Sequence, residues 1–185
     1  MKHQSNILAL KYRPTDFKDL IGQEYLVETI QKSIEQNKIP NAYIFTGIRG
    51  VGKTTTARIV SKMLNCTVFD QNNNPDLSNC DQAKAISEDR HPDVIEIDAA
   101  SNTSVENARE IIENVKYNPV LGKYKVYIID EVHMLSKSAF NALLKTLEEP
   151  PPHSKFIFAT TEISKVPITI LSRCQRFDLR RINKK

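Results

Sequence analysis

Short apolar runs alternate with longer amphipathic stretches along most of the chain. Four runs are rich in apolar, β-branched and aromatic residues, at positions 42–46, 93–97, 125–129 and 155–160, and a weaker run lies at 175–179. Nearly continuous apolar runs of this length are typical of strands that are covered on both faces, as in a parallel sheet. We therefore predict an α/β protein with a parallel sheet, in which the fifth strand lies closer to an edge.

The stretches between these runs carry apolar residues at three- and four-residue spacing, which predicts helices. Such stretches include Leu26, Ala57, Val105 and Phe140. Residues 67–79 differ, because they are rich in asparagine, contain proline and have no period. This segment indicates a surface loop or an insertion.

Composition places the chain among ordinary globular domains. Its 185 residues are 40% hydrophobic and 26% charged. The apolar runs are far shorter than the roughly 20 residues of a membrane helix, and the N-terminus lacks the apolar stretch of a signal peptide. Three cysteines at irregular spacing suit reduced thiols better than a disulfide framework. We expect a cytoplasmic protein with no membrane partner.

The formal net charge of +4 is concentrated at one end of the chain. Six basic residues and one acidic residue lie at positions 173–185, so the rest of the chain is close to neutral. A basic end on a neutral body is typical of a solvated terminus. A DNA-binding module without ATPase activity would need a basic body, and the charge distribution disfavours that class.

A glycine-rich loop follows the first predicted strand. The residues from Gly47 to Thr54 fit G-x-x-x-x-G-K-[ST] at every specified position, with an amphipathic stretch directly after them. Glycines allow the backbone to curl around an anion, and the start of the following helix adds a positive dipole end. We expect Lys53 to reach the β and γ phosphates of a nucleotide. The predicted nucleotide-binding residues of this loop are Gly47, Gly50, Val51, Gly52, Lys53, Thr54 and Thr55.

Acidic residues follow the third predicted strand. Asp130 and Glu131 come directly after four apolar residues, at the sheet edge where open α/β sheets bind ligands. Asp130, together with the Thr54 hydroxyl, is expected to hold Mg²⁺, and Glu131 to activate the attacking water. Thr161 follows the fourth strand, where it either contacts the γ phosphate or the water, or is simply a threonine at the end of a strand.

The order and spacing of these motifs resemble the AAA+ ATPases of clamp loaders, in particular the gamma/tau family of bacterial DNA polymerase III. Further carriers of the resemblance are KYRP at 11–14, IGQ at 21–23, IEIDAASNTSVENARE at 95–110 and LSRC at 171–174. The resemblance implies a P-loop NTPase of AAA+ type, with a five-stranded parallel sheet sandwiched by helices. It implies that residues 1–185 form one nucleotide-binding domain, with ATP and Mg²⁺ as its cofactors.

The same resemblance implies roles that the residues alone do not indicate. An N-terminal arm, residues 7–22, would line the adenine pocket. Thr161 falls where the family has its first sensor. Arg173 falls where the family has an arginine finger that acts in trans on the neighbouring subunit's ATP, whereas by itself it would be read as a surface cation. The adenine-pocket residues implied by the resemblance are Tyr12, Arg13, Pro14, Ile21 and Gly22.

The sequence departs from the family in an insertion at residues 66–91. The family has a four-cysteine zinc module there, but here only Cys66 and Cys80 match, and Leu77 and Ala83 stand at the two other positions. Two thiolates do not complete a tetrahedral site, so we expect no zinc. The helical lid and collar that follow in the family are also expected to be absent from this chain.

The resemblance implies an ATP-hydrolysing clamp-loader subunit that loads the sliding clamp onto primer-template DNA. Its partners would be delta, delta-prime and further gamma/tau copies, the sliding clamp and DNA, and the isolated domain is expected to be weakly active. Two alternatives remain: another AAA+ motor, such as a replication factor C small subunit or a branch-migration motor, and a non-hydrolysing delta-prime-like subunit. The segment 101–103 either caps a helix or contacts DNA phosphates.

Overall fold

Five parallel strands form a single sheet at the centre of the computed structural model, which describes residues 13–71, 74–102 and 104–181. The strand order is β2-β3-β4-β1-β5, which confirms the predicted α/β class and the edge position of the fifth strand. The strands are β1 (Ala42–Thr46), β2 (Val94–Asp98), β3 (Lys125–Asp130), β4 (Ser154–Thr160) and β5 (Gln175–Asp178).

Helices connect these strands and cover both faces of the sheet. Short 3₁₀ turns lie at Phe17–Asp19, Val132–Met134 and Ile163–Lys165. Among the described residues, no helix has the length and apolarity that crossing a membrane requires. The helices are α1 (Glu24–Glu35), α2 (Lys53–Asn65), α3 (Asp81–Ser87), α4 (Val105–Val115), α5 (Lys137–Glu148) and α6 (Ile168–Leu171).

Alternate residues of the sheet divide the core into two apolar layers. In β1, Phe45 packs with α2 and β5 on one face, and Ile44 packs with α4 and α5 on the other. Strand β4 is buried along its whole length, because it lies between β3 and β1. The carboxyl ends of these three strands therefore meet at one edge of the sheet, where the loops after β1 and β3 flank the end of β4.

Two local expectations were wrong. Strand β2 is less buried than expected, since it lies at the open edge of the sheet and all five of its residues are partly or fully exposed, although its apolar residues pack against both core layers. Helix α4 is capped by Ser104, whose hydroxyl accepts from the Asn107 backbone N–H at 3.3 Å. Thr103, which belonged to the expected cap, lies outside the described residues. Ser101 and Asn102 instead turn back to donate to Asp98.

Candidate functional site

The loop between β1 and α2 has the backbone that its glycines predict. Gly47, Gly50 and Gly52 have φ angles of 148°, 80° and 99°, a range that L side chains rarely adopt. A Cβ at Gly47 would also lie 2.6 Å from the carbonyl oxygen of Leu179. Helix α2 begins at Lys53, directly after this turn, so its first N–H groups open onto the loop.

The side chain of Lys53 lies inside the loop. Its residue is only 5% exposed, and Nζ donates to the carbonyl oxygens of Gly47 at 2.9 Å and Ile48 at 3.1 Å. Burial lowers the pKa of this ammonium, against the opposing attraction of Glu131 and Asp130. A positive charge held among carbonyl groups and close to two carboxylates is a suitable partner for an incoming polyanion.

Thr54 and Asp130 form the pair of oxygen donors that the sequence predicts. The Thr54 hydroxyl donates to Asp130 Oδ2 at 2.5 Å, which joins the start of α2 to the end of β3. Asp130 Oδ1 accepts from the backbone N–H of Glu131 at 2.9 Å. A hydroxyl and a carboxylate side by side are hard oxygen ligands, so the donor set fits Mg²⁺.

Glu131 turns sharply away from the strand. Its φ of 46° is left-handed, which is uncommon for a residue with a side chain and is found often at functional sites. The turn brings its carboxylate to the end of β4, where Oε2 accepts from the Thr161 hydroxyl at 3.0 Å and from the Thr161 backbone N–H at 3.3 Å. Glu131, which is expected to activate the attacking water, is therefore in direct contact with Thr161.

His133 belongs to this cluster and was not singled out in the sequence. Its side chain is 6% exposed. Nδ1 lies 2.9 Å from Thr160 Oγ1 and 3.3 Å from Glu131 Oε2, while Nε2 lies 3.4 Å from Glu162 Oε1. The only available signal was its position three residues after Asp130, which does not say that the 3₁₀ turn directs the ring back to β4.

An open crevice of about 410 Å³ lies above these groups. Arg13 reaches it from the N-terminal arm, and its Nε donates to Thr55 Oγ1 at 3.1 Å. Asp98 and Arg49 also line it, although sequence reasoning missed both. Asp98 is the register partner of Asp130 across β2 and β3, a relation that only strand pairing shows. The lining residues are Arg13, Arg49, Gly50, Gly52, Lys53, Thr54, Thr55, Asp98, Asp130 and Glu131.

The remaining adenine-pocket candidates are dispersed. Gly22 lines a second crevice of about 430 Å³, formed between the start of α1 and strand β5. Pro14 and Ile21 line neither crevice, and Ile21 is 69% exposed. Tyr12 lies outside the described residues. Of these candidates, Gly22 thus lines the second crevice and Arg13 the first.

Arg173 lies apart from this chain's phosphate loop. Its guanidinium pairs with Glu148 at the end of α5, with Nη2 2.6 Å from Oε1. Nη1 donates to the Thr169 carbonyl oxygen at 2.6 Å. Arg173 is partly exposed and does not line the crevice of Lys53.

The insertion contains two buried thiols with apolar neighbours. Cys66, Cys80, Leu77 and Ala83 all belong to the core layer around α2. Burial and the adjacent Cys80 raise the pKa of Cys66 to about 12. Within the residues that the structure describes, no three or more His, Cys, Asp or Glu side chains come together as a metal site. The expectation of no zinc stays a prediction.

The sequence is similar to known proteins over most of its length. Residues 22–183 match the family described as DNA polymerase III, delta subunit. The chain is 51% identical over 177 residues to DNA polymerase III subunit tau/gamma of Haemophilus influenzae, which covers 96% of this chain. The chain spans 25% of the length of that relative.

Two solved structures from Thermotoga maritima share the fold. A DNA polymerase III gamma subunit-related protein has a TM-score of 0.57 and 24% identity, covering 84% of this chain and 46% of its own. The Holliday junction branch migration motor RuvB has a TM-score of 0.60 and 18% identity, and the match covers 91% of this chain and 48% of RuvB. These likenesses show the fold alone, a parallel sheet with helices on both faces. The chain therefore belongs to the family that is described as DNA polymerase III, delta subunit, and it is similar to the tau/gamma subunit of that polymerase.

Proposed function

We propose that the chain is the ATP-binding and ATP-hydrolysing part of a clamp-loader subunit, which loads the sliding clamp onto primer-template DNA during replication. The observation that carries the proposal is the meeting of two motifs at one sheet edge. The phosphate loop around Lys53 and the Thr54–Asp130 pair lie beside the contact between Glu131 and Thr161. Polyanion binding, metal binding and water activation are therefore available within one crevice.

Binding follows from the groups that face the crevice. The loop N–H groups and the start of α2 would receive the phosphates, and Lys53 would exchange its carbonyl partners for β and γ phosphate oxygens. Thr54 and Asp130 would hold Mg²⁺, which neutralises phosphate charge when it is bound. Arg13 contacts Thr55 at the rim. For the adenine we propose the N-terminal arm, as the resemblance implies, with Tyr12, Pro14, Ile21 and Gly22 as its further lining residues. Gly22 lines the second crevice.

Hydrolysis would use the carboxylate of Glu131. A water oxygen attacks the γ phosphorus, the bond from that phosphorus to the bridging oxygen of ADP breaks, and Glu131 accepts a proton from the water. Thr161 would orient this carboxylate and the water. Arg173 of a neighbouring subunit would stabilise the charge that develops on the phosphate oxygens, since its planar guanidinium can bind two of them. The isolated chain would then turn over slowly.

Partners and compartment are part of the same proposal. The chain would act within the DNA-directed DNA polymerase III holoenzyme, in the cytoplasm. It would assemble with delta, delta-prime and further gamma/tau copies, and the assembly would bind the sliding clamp and primer-template DNA. What supports this is the roughly 50% identity to the tau/gamma relative, over nearly all of this chain.

The alternatives have less support. A non-hydrolysing delta-prime-like subunit would not need Lys53 inside a complete phosphate loop next to an acid pair. A branch-migration motor is supported only by likeness to RuvB at 18% identity, which concerns the fold. A replication factor C small subunit has no support beyond the shared AAA+ class.

The test is nucleotide binding by Lys53→Ala, measured by calorimetry with MgATP. We expect binding to be lost, because the ammonium is the cation at the centre of the loop. The matched control is Lys116→Ala, which removes an exposed ammonium at the end of α4 and should bind like the wild type. Undiminished affinity in Lys53→Ala would refute the assignment of the loop.

A further inference from the structure

His133 is a buried polar side chain that the proposed chemistry leaves without a role. The ring lies between the end of β3 and the end of β4, and only 6% of its side-chain surface is exposed. Its charged neighbours are Glu131 on the Nδ1 side and Glu162 on the Nε2 side. Glu162 is in turn paired with Lys165 at 2.7 Å.

The hydrogen bonds around the ring indicate what Nδ1 does. Thr160 Oγ1 already accepts from the Glu162 backbone N–H at 3.0 Å and lies 2.9 Å from Nδ1. A proton on Nδ1 of His133 can be shared between Thr160 Oγ1 and Glu131 Oε2, which is 3.3 Å away. Nδ1 without a proton would instead direct a lone pair at the carboxylate. The arrangement therefore favours Nδ1 as a donor.

With that donor, the carboxylate of Glu131 is held on one side. The Thr161 hydroxyl, the Thr161 N–H and His133 Nδ1 all approach Oε2, at 3.0, 3.3 and 3.3 Å. Donors on Oε2 leave Oε1 as the oxygen to receive a proton from water. They also counteract the strain of the left-handed backbone at Glu131 by fixing where its side chain points.

We propose that His133 is a positioning residue for the general base Glu131, acting through Nδ1 and linking it to the end of β4. The proposal rests on the proposed function, since it assumes that Glu131 activates water. His133 itself touches neither nucleotide nor metal ligand in this scheme. Its loss should therefore lower the rate of hydrolysis and leave nucleotide affinity unchanged.

Two amide substitutions separate the ring nitrogens. The side-chain amide of His133→Asn can stand near the position of Nδ1, whereas that of His133→Gln reaches toward the position of Nε2. We expect His133→Gln to lower the single-turnover rate on the order of 100-fold, the loss that misplacing a reacting group produces. His133→Asn should recover a large part of that rate. Both variants should bind MgATP with wild-type affinity.

The measurements use this sequence as part of a full-length gamma or tau subunit, assembled with its partner subunits and primed DNA. His153→Asn is the matched control, because the ring of His153 also forms a hydrogen bond, with Nε2 2.9 Å from the Val115 carbonyl oxygen. His153 lies directly before β4, at the end of that strand opposite to the site. The control variant should hydrolyse ATP like the wild type. Melting temperatures of all variants show whether rates merely follow stability.

If a His133 variant fails to fold, Thr160→Val provides the second test. It removes the hydroxyl that contacts Nδ1 and keeps the shape of the side chain. We expect a lower single-turnover rate at unchanged affinity, and a wild-type rate would overturn the proposal.

The outcomes distinguish the two proposals. Equal rates for His133→Asn and His133→Gln, whether both normal or both reduced, would overturn the role of Nδ1. If Glu131→Gln retains full turnover, or the wild-type assembly does not hydrolyse ATP, the proposed function and the positioning role both fail. Rapid turnover that depends on Glu131, with no ranking among the His133 variants, overturns the positioning role alone.

Discussion

At Gly47 the main chain makes a turn that allows no side chain. There are two separate reasons: the φ of 148°, and the carbonyl oxygen of Leu179, which would lie 2.6 Å from any Cβ at this position. Gly50 differs, since its φ of 80° is also unfavourable for L residues but a Cβ there would meet nothing within 4 Å. The two glycines thus separate backbone strain from steric overlap.

We expect Gly47→Ala to lower the free energy of unfolding by more than Gly50→Ala. Strain alone costs about 1–3 kcal/mol at such a residue. Gly47→Ala adds the overlap with Leu179, which the backbone carbonyl cannot avoid by rotating a side chain. Denaturant unfolding of the two variants measures the difference. Equal losses would mean that the segment after β5 moves aside freely.

At the scale of elements, one buried carboxylate holds the connection between α4 and β3. Asp93 is fully buried just before β2 and accepts from the backbone N–H groups of Val120, Leu121 and Gly122, each at 2.7 Å. Burial opposes its ionisation, but the three N–H groups outweigh burial and hold the pKa of Asp93 below its usual value.

We expect Asp93→Asn to destabilise the fold by about 3 kcal/mol or more, because an amide NH₂ would face N–H donors. Asp81→Asn, at an exposed carboxylate, is the control. The depressed pKa means that the ionic contribution of Asp93 is present above the unfolded pKa of about 3.9 and is lost as the pH falls through the folded value. The free energies of unfolding of Asp93→Asn and of the wild type should therefore become equal only in strong acid. A constant difference down to about pH 2 would contradict this account.

Apolar side chains of the insertion pack into the core around α2. Leu77 and Ala83 are 8% and 2% exposed and pack in the same layer as Cys66 and Cys80. We expect purified protein to contain no stoichiometric zinc, and a chelator to leave its melting temperature unchanged. Elemental analysis is the measurement, and one equivalent of zinc per chain would contradict the prediction.

At the scale of the whole molecule, the site and the proposed finger of one chain lie apart. Arg173 pairs with Glu148 and does not line the crevice of Lys53, so a complete site would need two subunits. Turnover would then depend on assembly, because only an interface joins a phosphate loop with a finger.

We expect assemblies that mix Lys53→Ala and Arg173→Ala protomers to recover part of the turnover that assemblies of either variant lack. Recovery arises at interfaces where an intact loop meets an intact finger. Steady-state ATPase rates of mixed and unmixed assemblies measure it, with subunit stoichiometry checked by mass. Rates in the mixture no higher than in either variant alone would count against action in trans.

Local pattern accounts for much of this protein. The bounds of the strands can be predicted from the sequence to within a residue or two, because runs of apolar and β-branched residues favour strands. The glycine loop, Lys53, Thr54 and Asp130 could be read from residue type and spacing, since phosphate binding needs an open backbone followed by a helix. These are properties of contiguous residues.

Other features arise only when distant segments meet. The contacts of His133 with Thr160 and Glu131, and the place of Asp98 beside Asp130, depend on which strands are neighbours in the sheet. The edge position of β2 and its exposure follow from the strand order as well. Spacing along the chain carries no information on such pairings, because the free energy that selects them comes from burying side chains of segments far apart in sequence.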